Sequence, residues 1–281
     1  MRFPALILAL PAAFAPWLLR AQDQAAEPPA PARPLLENHG SPMRVPFRCT
    51  NDDIRSAGLS CSEEEPCPVY LELSAAAHWG ERTLVSGNIH GESVTLYSLL
   101  LETGDAGRTW EEAYPRIRGA IIDRIEFLDS GFGWVSGEEL SPLPRNPFLL
   151  ATQDGGKTWT EHAVLRESAE NLFGSILQFV FTSNTAGSLI LDRGQGNGED
   201  RYALFQSETG GQSWSIRQES AKPLRLQQTL PPSSWRLRVD PASRSYRVEH
   251  LEGQRWNSIA AFAVNLDPCR PPPSDPVPDK Q

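Results

Sequence analysis

The chain has 281 residues, a formal net charge of −9, 40% hydrophobic residues, 25 Pro and 21 Gly. An acidic surface repels phosphate backbones and anionic headgroups, so the charge argues against nucleic acid and anionic membranes as partners. Pro and Gly both interrupt helices, so their abundance disfavours a helical protein and suits a chain with many turns.

The N-terminus has the pattern of a secretory signal peptide. Arg2 gives a basic start, an apolar run extends from Phe3 to Leu19, and Ala21 offers a cleavage site. The run is interrupted by Pro and shorter than the ~20 residues of a spanning helix, although a retained anchor is the alternative. No Cys follows the run, so no lipoprotein anchor is indicated. We expect residues 1–21 to be removed and the protein to be periplasmic or secreted, without a stable membrane span.

Two Pro-rich stretches flank the central region. Residues 22–42 are expected to form a Pro/Ala-rich linker and residues 270–281 a disordered tail, because neither stretch contains enough apolar residues for a core. Residues 43–269 are expected to hold the folded domain, which begins with a Cys-bearing lead-in.

The four cysteines point to disulfide bonds. In an exported chain an even number of cysteines suggests disulfides, and four cysteines allow three pairings. We favour Cys61–Cys67 as a small local loop and Cys49–Cys269 as a long tie between the two flanks of the domain. Free thiols or a metal site are less supported, because no Cys-x-x-Cys occurs and no His lies nearby.

A phrase of eight residues occurs three times, with the pattern Ser/Thr-x-Asp/Thr-x-Gly-x-Ser/Thr-Trp, and is called the repeat motif here. Its copies contain Thr103, Asp105, Gly107, Thr109 and Trp110; Thr152, Asp154, Gly156, Thr158 and Trp159; and Ser207, Thr209, Gly211, Ser213 and Trp214. The tryptophans are 49 and 55 residues apart. This period is typical of a propeller that adds one four-stranded sheet per repeat.

Each position of the motif has a structural explanation. Asp105 and Asp154 are short acceptors for backbone N–H groups in a tight turn, and the hydroxyl of Thr209 is a weaker one. Gly107 and Gly156 supply the positive φ that such a turn needs. The tryptophans are expected to pack between neighbouring sheets. The motif therefore predicts architecture rather than catalysis.

The repeat motif resembles the Asp-box, or BNR, repeat of sialidases, the sortilin family and the assembly factors of photosystem II. The stretch from Ile125 to Gly137 is similar to a strand–turn–strand phrase of the assembly factors, and the likeness covers roughly residues 68–217. The resemblance implies a structural hairpin between the third and fourth strands of a blade. It also implies either a role on other proteins during complex biogenesis or action on carbohydrates.

The expected fold is an all-β propeller of four-stranded antiparallel blades. Residues 69–117, 120–165 and 175–218 are predicted as three blades, and a weaker fourth extends from Trp235 to Trp256, which ends a worn copy of the motif. We expect about four blades, with a fifth or an incomplete propeller as alternatives.

The turns between the second and third strands of each blade lie on the face opposite the motif turns. Loops on a rigid scaffold usually carry binding, although ordinary solvated loops are the alternative. The candidate ligand contacts in these loops are His90, Glu92, Glu138, Glu139, Arg145, Arg193, Glu199 and Asp200.

Signals for catalysis are few. A sialidase needs three Arg, a Tyr–Glu nucleophile pair and an Asp, but the stretch Tyr114–Arg118 has the letters of that family's Arg-Ile-Pro phrase in the wrong order. The histidines are scattered without metal-ligand spacing, and Asp192–Asp200 misses the EF-hand pattern. We expect no catalytic residue, no metal and no cofactor.

The sequence therefore favours an exported, non-catalytic propeller that binds another envelope or secreted protein. The alternative is a carbohydrate-active protein, either a sialidase-like glycosidase or a lectin with a glycan partner. A surface stalk that uses the Pro-rich ends as spacers is a third possibility.

Overall fold

The computed structural model describes residues 35–140, 146–165, 174–194, 200–226 and 233–271. All of them belong to one compact unit, residues 33–281. The predicted signal peptide, most of the predicted linker and most of the predicted tail lie outside the described residues. No helix in the described ranges is long and apolar enough to cross a membrane.

The described residues form sixteen strands and one short helix. In chain order they are β1 (Leu36–Glu37), α1 (Asn51–Ser56), β2 (Tyr70–Trp79), β3 (Arg82–His90), β4 (Thr95–Thr103), β5 (Thr109–Tyr114), β6 (Ala120–Phe127), β7 (Gly133–Glu139), β8 (Asn146–Thr152), β9 (Thr160–Ala163), β10 (Ser175–Phe181), β11 (Gly187–Asp192), β12 (Tyr202–Ser207), β13 (Ser215–Ser220), β14 (Trp235–Asp240), β15 (Ser245–Glu252) and β16 (Arg255–Ala263).

The strands pair into four antiparallel sheets that follow one another along the chain. Sheet 1 has the order β1-β5-β4-β3-β2, sheet 2 β6-β7-β8-β9, sheet 3 β10-β11-β12-β13 and sheet 4 β14-β15-β16. Consecutive strands meander side by side, which is the blade topology of a propeller. The all-β propeller of about four blades is therefore confirmed, with three strands rather than four in sheet 4.

The first copy of the repeat motif forms the turn between β4 and β5. Thr109 donates from its backbone N and its Oγ1 to the Asp105 carboxylate, at 2.9 and 2.7 Å. Thr103 Oγ1 donates to Asp105 at 2.8 Å and accepts from Gly107 N at 3.0 Å. Gly107 has φ of +85°, which a side chain would strain. One carboxylate and one hydroxyl thus satisfy the donors of the turn.

The other two copies form the β8–β9 and β12–β13 turns in the same way. Asp154 accepts from Thr158 N at 2.9 Å and Thr158 Oγ1 at 2.7 Å. In the third copy the Thr209 hydroxyl accepts from Ser213 N at 2.9 Å, so a neutral oxygen replaces the carboxylate as the acceptor in the turn. The turn geometry therefore survives the loss of the charge.

The tryptophan of each copy packs into a core cluster shared by two neighbouring sheets. Trp110 is fully buried in a cluster of sheets 1 and 4, with its ring 5.2 Å from that of Phe262. Trp159 packs against a cluster of sheets 1 and 2, and Trp214 against a cluster of sheets 2 and 3. Each interface between neighbouring sheets is called a seam below. Trp256 of the worn copy is half-buried and lies under the guanidinium of Arg236, 4.0 Å from its ring centre.

Residues 36–38 were expected to be linker, and the structure instead adds them to sheet 1. β1 pairs with β5, with Leu36 opposite Trp110. Asn38 Nδ2 donates to the carbonyls of Gly107 and Ile259, both at 2.9 Å, and so connects sheet 1 with sheet 4. A strand of two residues has no alternating pattern, so composition could not reveal it.

The lead-in joins sheets 4 and 1. Met43 exchanges backbone hydrogen bonds with Ala261 and Ala263 in β16, both at 2.8 Å. Helix α1, which was not predicted, follows a capping box of Thr50 and Asp53. Buried Asp53 also accepts a hydrogen bond from the Tyr97 hydroxyl of β4, so the helix is fastened to sheet 1.

The structure contains both disulfides that the sequence favoured. Cys49 is joined to Cys269 and Cys61 to Cys67. Cys67 and Cys269 also exchange backbone hydrogen bonds of 3.0 and 2.8 Å. The first and last parts of the domain are therefore held by a covalent bond and by backbone pairing.

Candidate functional site

Two of the seams are filled by stacked aromatic rings next to the motif turns. Between sheets 1 and 2, Trp79 stacks on Phe127 with ring centres 3.4 Å apart. Between sheets 2 and 3, Trp134 stacks on Phe181 with ring centres 3.6 Å apart. Stacked aromatic pairs bury much apolar area. The recess that remains beside the pair of sheets 2 and 3 has a volume of about 280 Å³.

The same tryptophans hold the neighbouring motif turns. Trp79 Nε1 donates to the Gly155 carbonyl at 3.2 Å, and Trp134 Nε1 donates to the Gly210 carbonyl at 3.0 Å. Both glycines have positive φ, and a Cβ on either would lie less than 3 Å from a backbone carbonyl oxygen. A side chain at either glycine would therefore collide with the backbone of the adjoining turn.

The seam between sheets 4 and 1 is different, because it leaves a groove of about 590 Å³ on the motif face. We call it the seam groove. It is lined by His78, Gly80, Glu81, Thr83, Gly104, Asp105, Ala106, Arg108, Trp235, His250, Glu252 and Ile259. The β2–β3 turn, the first motif turn and sheet 4 contribute these residues, so the groove exists only where the two ends of the domain meet.

An aromatic cluster forms one wall of the seam groove. The rings of His78 and His250 each stack on Trp235 with centres 4.6 Å away. The two imidazole centres are 6.4 Å apart. Trp235 is half-buried and also packs against the core cluster around Trp110. Its partly exposed indole and the two imidazoles therefore line the groove together.

Charged side chains complete the lining. Glu81 and Glu252 are exposed, and Glu252 accepts a hydrogen bond from Asn257 at 2.7 Å. Burial alone would raise the pKa of Asp105, but hydrogen bonds from the turn lower it to about 2. Arg108 donates from Nε to the Asp105 carbonyl at 3.1 Å. The lining thus offers both acceptors and donors to a polar ligand.

His78 is held in its neutral form at neutral pH. Removal of water from part of its ring, and then the nearby His250, lower the pKa of His78. Its Nδ1 lies 2.9 Å from Thr83 Oγ1, which fixes the ring orientation. The wall of the groove beside Trp235 therefore adds no positive charge through His78.

The opposite face of the domain carries the loop residues proposed from the sequence. Arg193 is buried, and its guanidinium donates to the Asp200 carbonyl and pairs with Glu219 at 2.8 Å. The structure thus brings Arg193 and Asp200 together, although it is the backbone of Asp200 that takes part. Arg145 and Glu199 lie outside the described residues.

The acidic pair at the end of β7 is engaged in structural contacts. Buried Glu138 accepts from Ser175 Oγ of the next sheet at 3.0 Å, and Glu139 accepts from Asn146 at 3.2 Å. The contact of Glu138 therefore spans the seam between sheets 2 and 3.

The first of the predicted loops has separate contacts. His90 Nδ1 lies 2.6 Å from the Gly91 carbonyl, and its ring is tilted against Tyr70. Glu92 is exposed.

Sequence reasoning missed the seam groove because it placed binding on the loop face. The strand pattern that begins at Trp235 was recognised, but nothing local shows that His78 of the first sheet stacks on it. Only the repeat itself gave a signal, since a ring of blades brings the first and last sheets together.

No protein-family description matches the chain, and no curated protein matches it either. Among solved structures it is similar to the GH74 xyloglucanase from Xanthomonas campestris, with 15% identity, a TM-score of 0.35 and coverage of 61% of this chain and 26% of that one. It is also similar to an ulvan lyase of polysaccharide lyase family PL25, with 10% identity, a TM-score of 0.41 and coverage of 73% and 53%.

A third similar structure is the alpha-L-arabinanase from Penicillium chrysogenum in complex with arabinobiose. The identity is 14%, the TM-score 0.34 and the coverage 70% of this chain and 63% of that one. The chain spans less than two thirds of each of the three proteins. At these TM-scores the likeness carries no argument about activity.

Proposed function

We propose that the protein is an exported, non-catalytic β-propeller of the Asp-box type that binds carbohydrate in the seam groove. The observation that carries this proposal is the groove of about 590 Å³ with half-buried Trp235 in its wall. Small-molecule sites typically measure about 300–1,000 Å³ and combine aromatic walls with a few polar groups. The two disulfides support export, because such bonds persist in oxidising compartments.

The chemistry of the lining suits a sugar. A pyranose ring presents an apolar C–H face, which can bury against the flat indole of Trp235. Its hydroxyl groups need acceptors and donors at the rim of that contact. Glu81 and Glu252 supply acceptors, and Arg108 supplies donors.

Asp105 is unsuited to act as the acid of a glycosidase. A glycosidase needs a carboxylic acid that gives up a proton and a second carboxylate about 5–9 Å away. Asp105 has a pKa of about 2 and accepts hydrogen bonds from Thr103 and Thr109, so it has no proton to donate. Glu126, whose pKa burial raises to about 7, lies in β6 and is not part of the groove lining. Binding without catalysis is the reading that these groups favour.

The test is isothermal titration calorimetry of the disulfide-bonded protein with four classes of neutral sugar: cello-, xylo-, arabino- and chito-oligosaccharides. We expect one of these classes to bind, and Trp235→Ala to weaken that binding at least tenfold, about 1.4 kcal/mol. Trp256→Ala is the matched control, because Trp256 is a half-buried tryptophan of the same sheet outside the groove. Absence of binding to every class, or equal losses in both variants, would contradict the proposal.

A protein-binding scaffold is the second candidate, and strand β13 favours it. β13 is the outermost strand of sheet 3, and five of its six residues are exposed, including Ile216 at 42%. An exposed outer strand can pair with an extended segment of another protein. Affinity capture from an envelope fraction tests this candidate. One stoichiometric polypeptide that is lost with Ile216→Asp and kept with Trp235→Ala would favour the scaffold.

A further inference from the structure

The seam groove differs in charge from a second recess on the motif face of the described residues. The recess between sheets 2 and 3 has a volume of about 280 Å³, and none of its lining residues is Asp, Glu, Lys or Arg. The seam groove contains Glu81, Asp105 and Glu252 but a single basic group, Arg108. The groove is therefore the more negative of the two.

The three carboxyl groups of the groove have different surroundings. The hydrogen bonds of the motif turn keep the pKa of Asp105 at about 2. Glu252 accepts from Asn257, and its other oxygen lies 3.7 Å from His250 Nδ1. Glu81 is exposed to water beside the aromatic wall. With three carboxyl groups and one guanidinium in its lining, the groove has a formal excess of negative charge.

The basic side chain in the groove lining, Arg108, already makes a hydrogen bond within the protein. Arg108 donates from Nε to the carbonyl of Asp105 in the motif turn. It therefore lies beside a carboxylate that is ionised at every physiological pH. A ligand carboxylate or sulfate in the groove would meet more acids than bases.

The aromatic wall adds to the attraction for a cation. The face of an indole carries the negative end of the ring quadrupole and attracts an ammonium group within about 6 Å. Trp235 lines the groove beside the imidazoles of His78 and His250 and is partly exposed. An aromatic ring with carboxylates around it is the arrangement that recognises an ammonium ion.

Resting on the proposed function, we infer that the seam groove selects oligosaccharides that carry positively charged amines, such as those of 2-amino-2-deoxyhexoses. The sugar ring stacks on Trp235, and its ammonium group faces Glu81 and Glu252. Neutral N-acetylated sugars keep the stacking contact and lose the charge contact. Uronic acids lack the charge contact. They are also repelled as they approach, because the whole chain has a net charge of −9.

Three probes of equal length test the inference at about pH 7.5, where most imidazoles are neutral. They are N-trimethylated chito-oligosaccharides, whose charge is independent of pH, N-acetylated chito-oligosaccharides and oligogalacturonate. We expect the trimethylated probe to bind about tenfold more tightly than the N-acetylated one, and oligogalacturonate to bind most weakly. The preference should shrink in about 0.5 M salt, because screening weakens exposed charge pairs.

The double variant Glu81→Gln/Glu252→Gln should reduce the ratio of the two affinities, trimethylated over N-acetylated, from about tenfold to about one. The ratio is the readout because both side chains also offer acceptors to the sugar hydroxyls. Glu208→Gln is the control, since Glu208 is 87% exposed on the third motif turn and lies outside the groove. Equal affinity of the wild-type protein for the charged and N-acetylated probes would overturn the inference and leave the proposed function intact. A preference that Glu208→Gln also abolishes, or tightest binding of oligogalacturonate, would overturn it too. No binding of any of the three probes would overturn the inference, and the proposed function would fall as well only if the cello-, xylo- and arabino-oligosaccharides also failed to bind.

Discussion

The seam between sheets 2 and 3 and the seam between sheets 4 and 1 are held together by different means. In the first, Trp134 stacks on Phe181 next to the motif turn, and the burial of apolar side chains stabilises the contact between the sheets. In the second, the Cys49–Cys269 disulfide and backbone pairing add to the core cluster around Trp110. The groove of about 590 Å³ lies at the edge of this second seam, whereas the recess at the first measures about 280 Å³. The larger open space thus occurs where the two ends of the domain meet.

The largest expected effect follows from removing the covalent tie of this seam. In the loop-entropy account a disulfide stabilises more when it closes a longer loop. The separation of 220 residues between Cys49 and Cys269 predicts a loss of about 5 kcal/mol for the double Ala variant. The same change at Cys61 and Cys67, only 6 residues apart, should cost about 2 kcal/mol. Urea unfolding followed by circular dichroism measures both, and equal losses would contradict the view that the long tie holds the seam.

The second prediction compares the aromatic residues of the two seams. Trp134 is 2% exposed, so Trp134→Ala should lower the free energy of unfolding by about 3–5 kcal/mol. Trp235 is half-buried at the edge of the groove, and Trp235→Ala should cost about 1 kcal/mol. Thermal and urea unfolding of the two variants measure both losses of stability. Comparable losses would mean that the groove edge is packed as tightly as the filled seam.

The third prediction concerns the motif turn that borders the groove. Asp105→Asn weakens hydrogen bonds to a charged acceptor and should cost about 1–2 kcal/mol at pH 7. Because the folded-state pKa of Asp105 is lowered to about 2, the carboxylate stabilises the fold above about pH 4. That contribution is lost as the pH falls from about 4 to 2.

Urea titrations at several pH values test this sign. The difference between wild type and Asp105→Asn should narrow between pH 4 and 2. Asp154→Asn in the second copy should behave alike, because the pKa of Asp154 is also lowered. A difference that stays constant across that range would show that the Asp105 charge contributes nothing to stability.

The smallest expected effect is that of His78→Gln, which should change stability by less than about 0.5 kcal/mol at pH 7.5. The pKa of His78 is lowered in the folded state, so the unfolded chain binds more protons near its ordinary pKa of 6.5. Wild type should therefore lose stability as the pH falls below about 6.5, and the Gln variant should lose less. A steeper loss in the variant would contradict this assignment.

Much of the scaffold could be read from particular residues. Residues 120–165 were predicted as one blade, and sheet 2 extends from Ala120 to Ala163. The positive φ of Gly107 was predicted from the tight turn. The packing of Trp110 between two sheets was predicted from its large apolar side chain. Strand β1 and helix α1 could not be predicted in this way, because each is short and is held by distant partners.

The amino-acid sequence by itself determined the turns and the period of the sheets. The reason is that the bonds of the repeat motif join residues no more than four positions apart, as between Asp105 and Thr109. The tertiary structure alone decided that His78 of the first sheet stacks on Trp235 of the last, and that the space beside them stays open. That contact depends on how successive sheets pack and on the tie between the chain ends, and no local pattern encodes it.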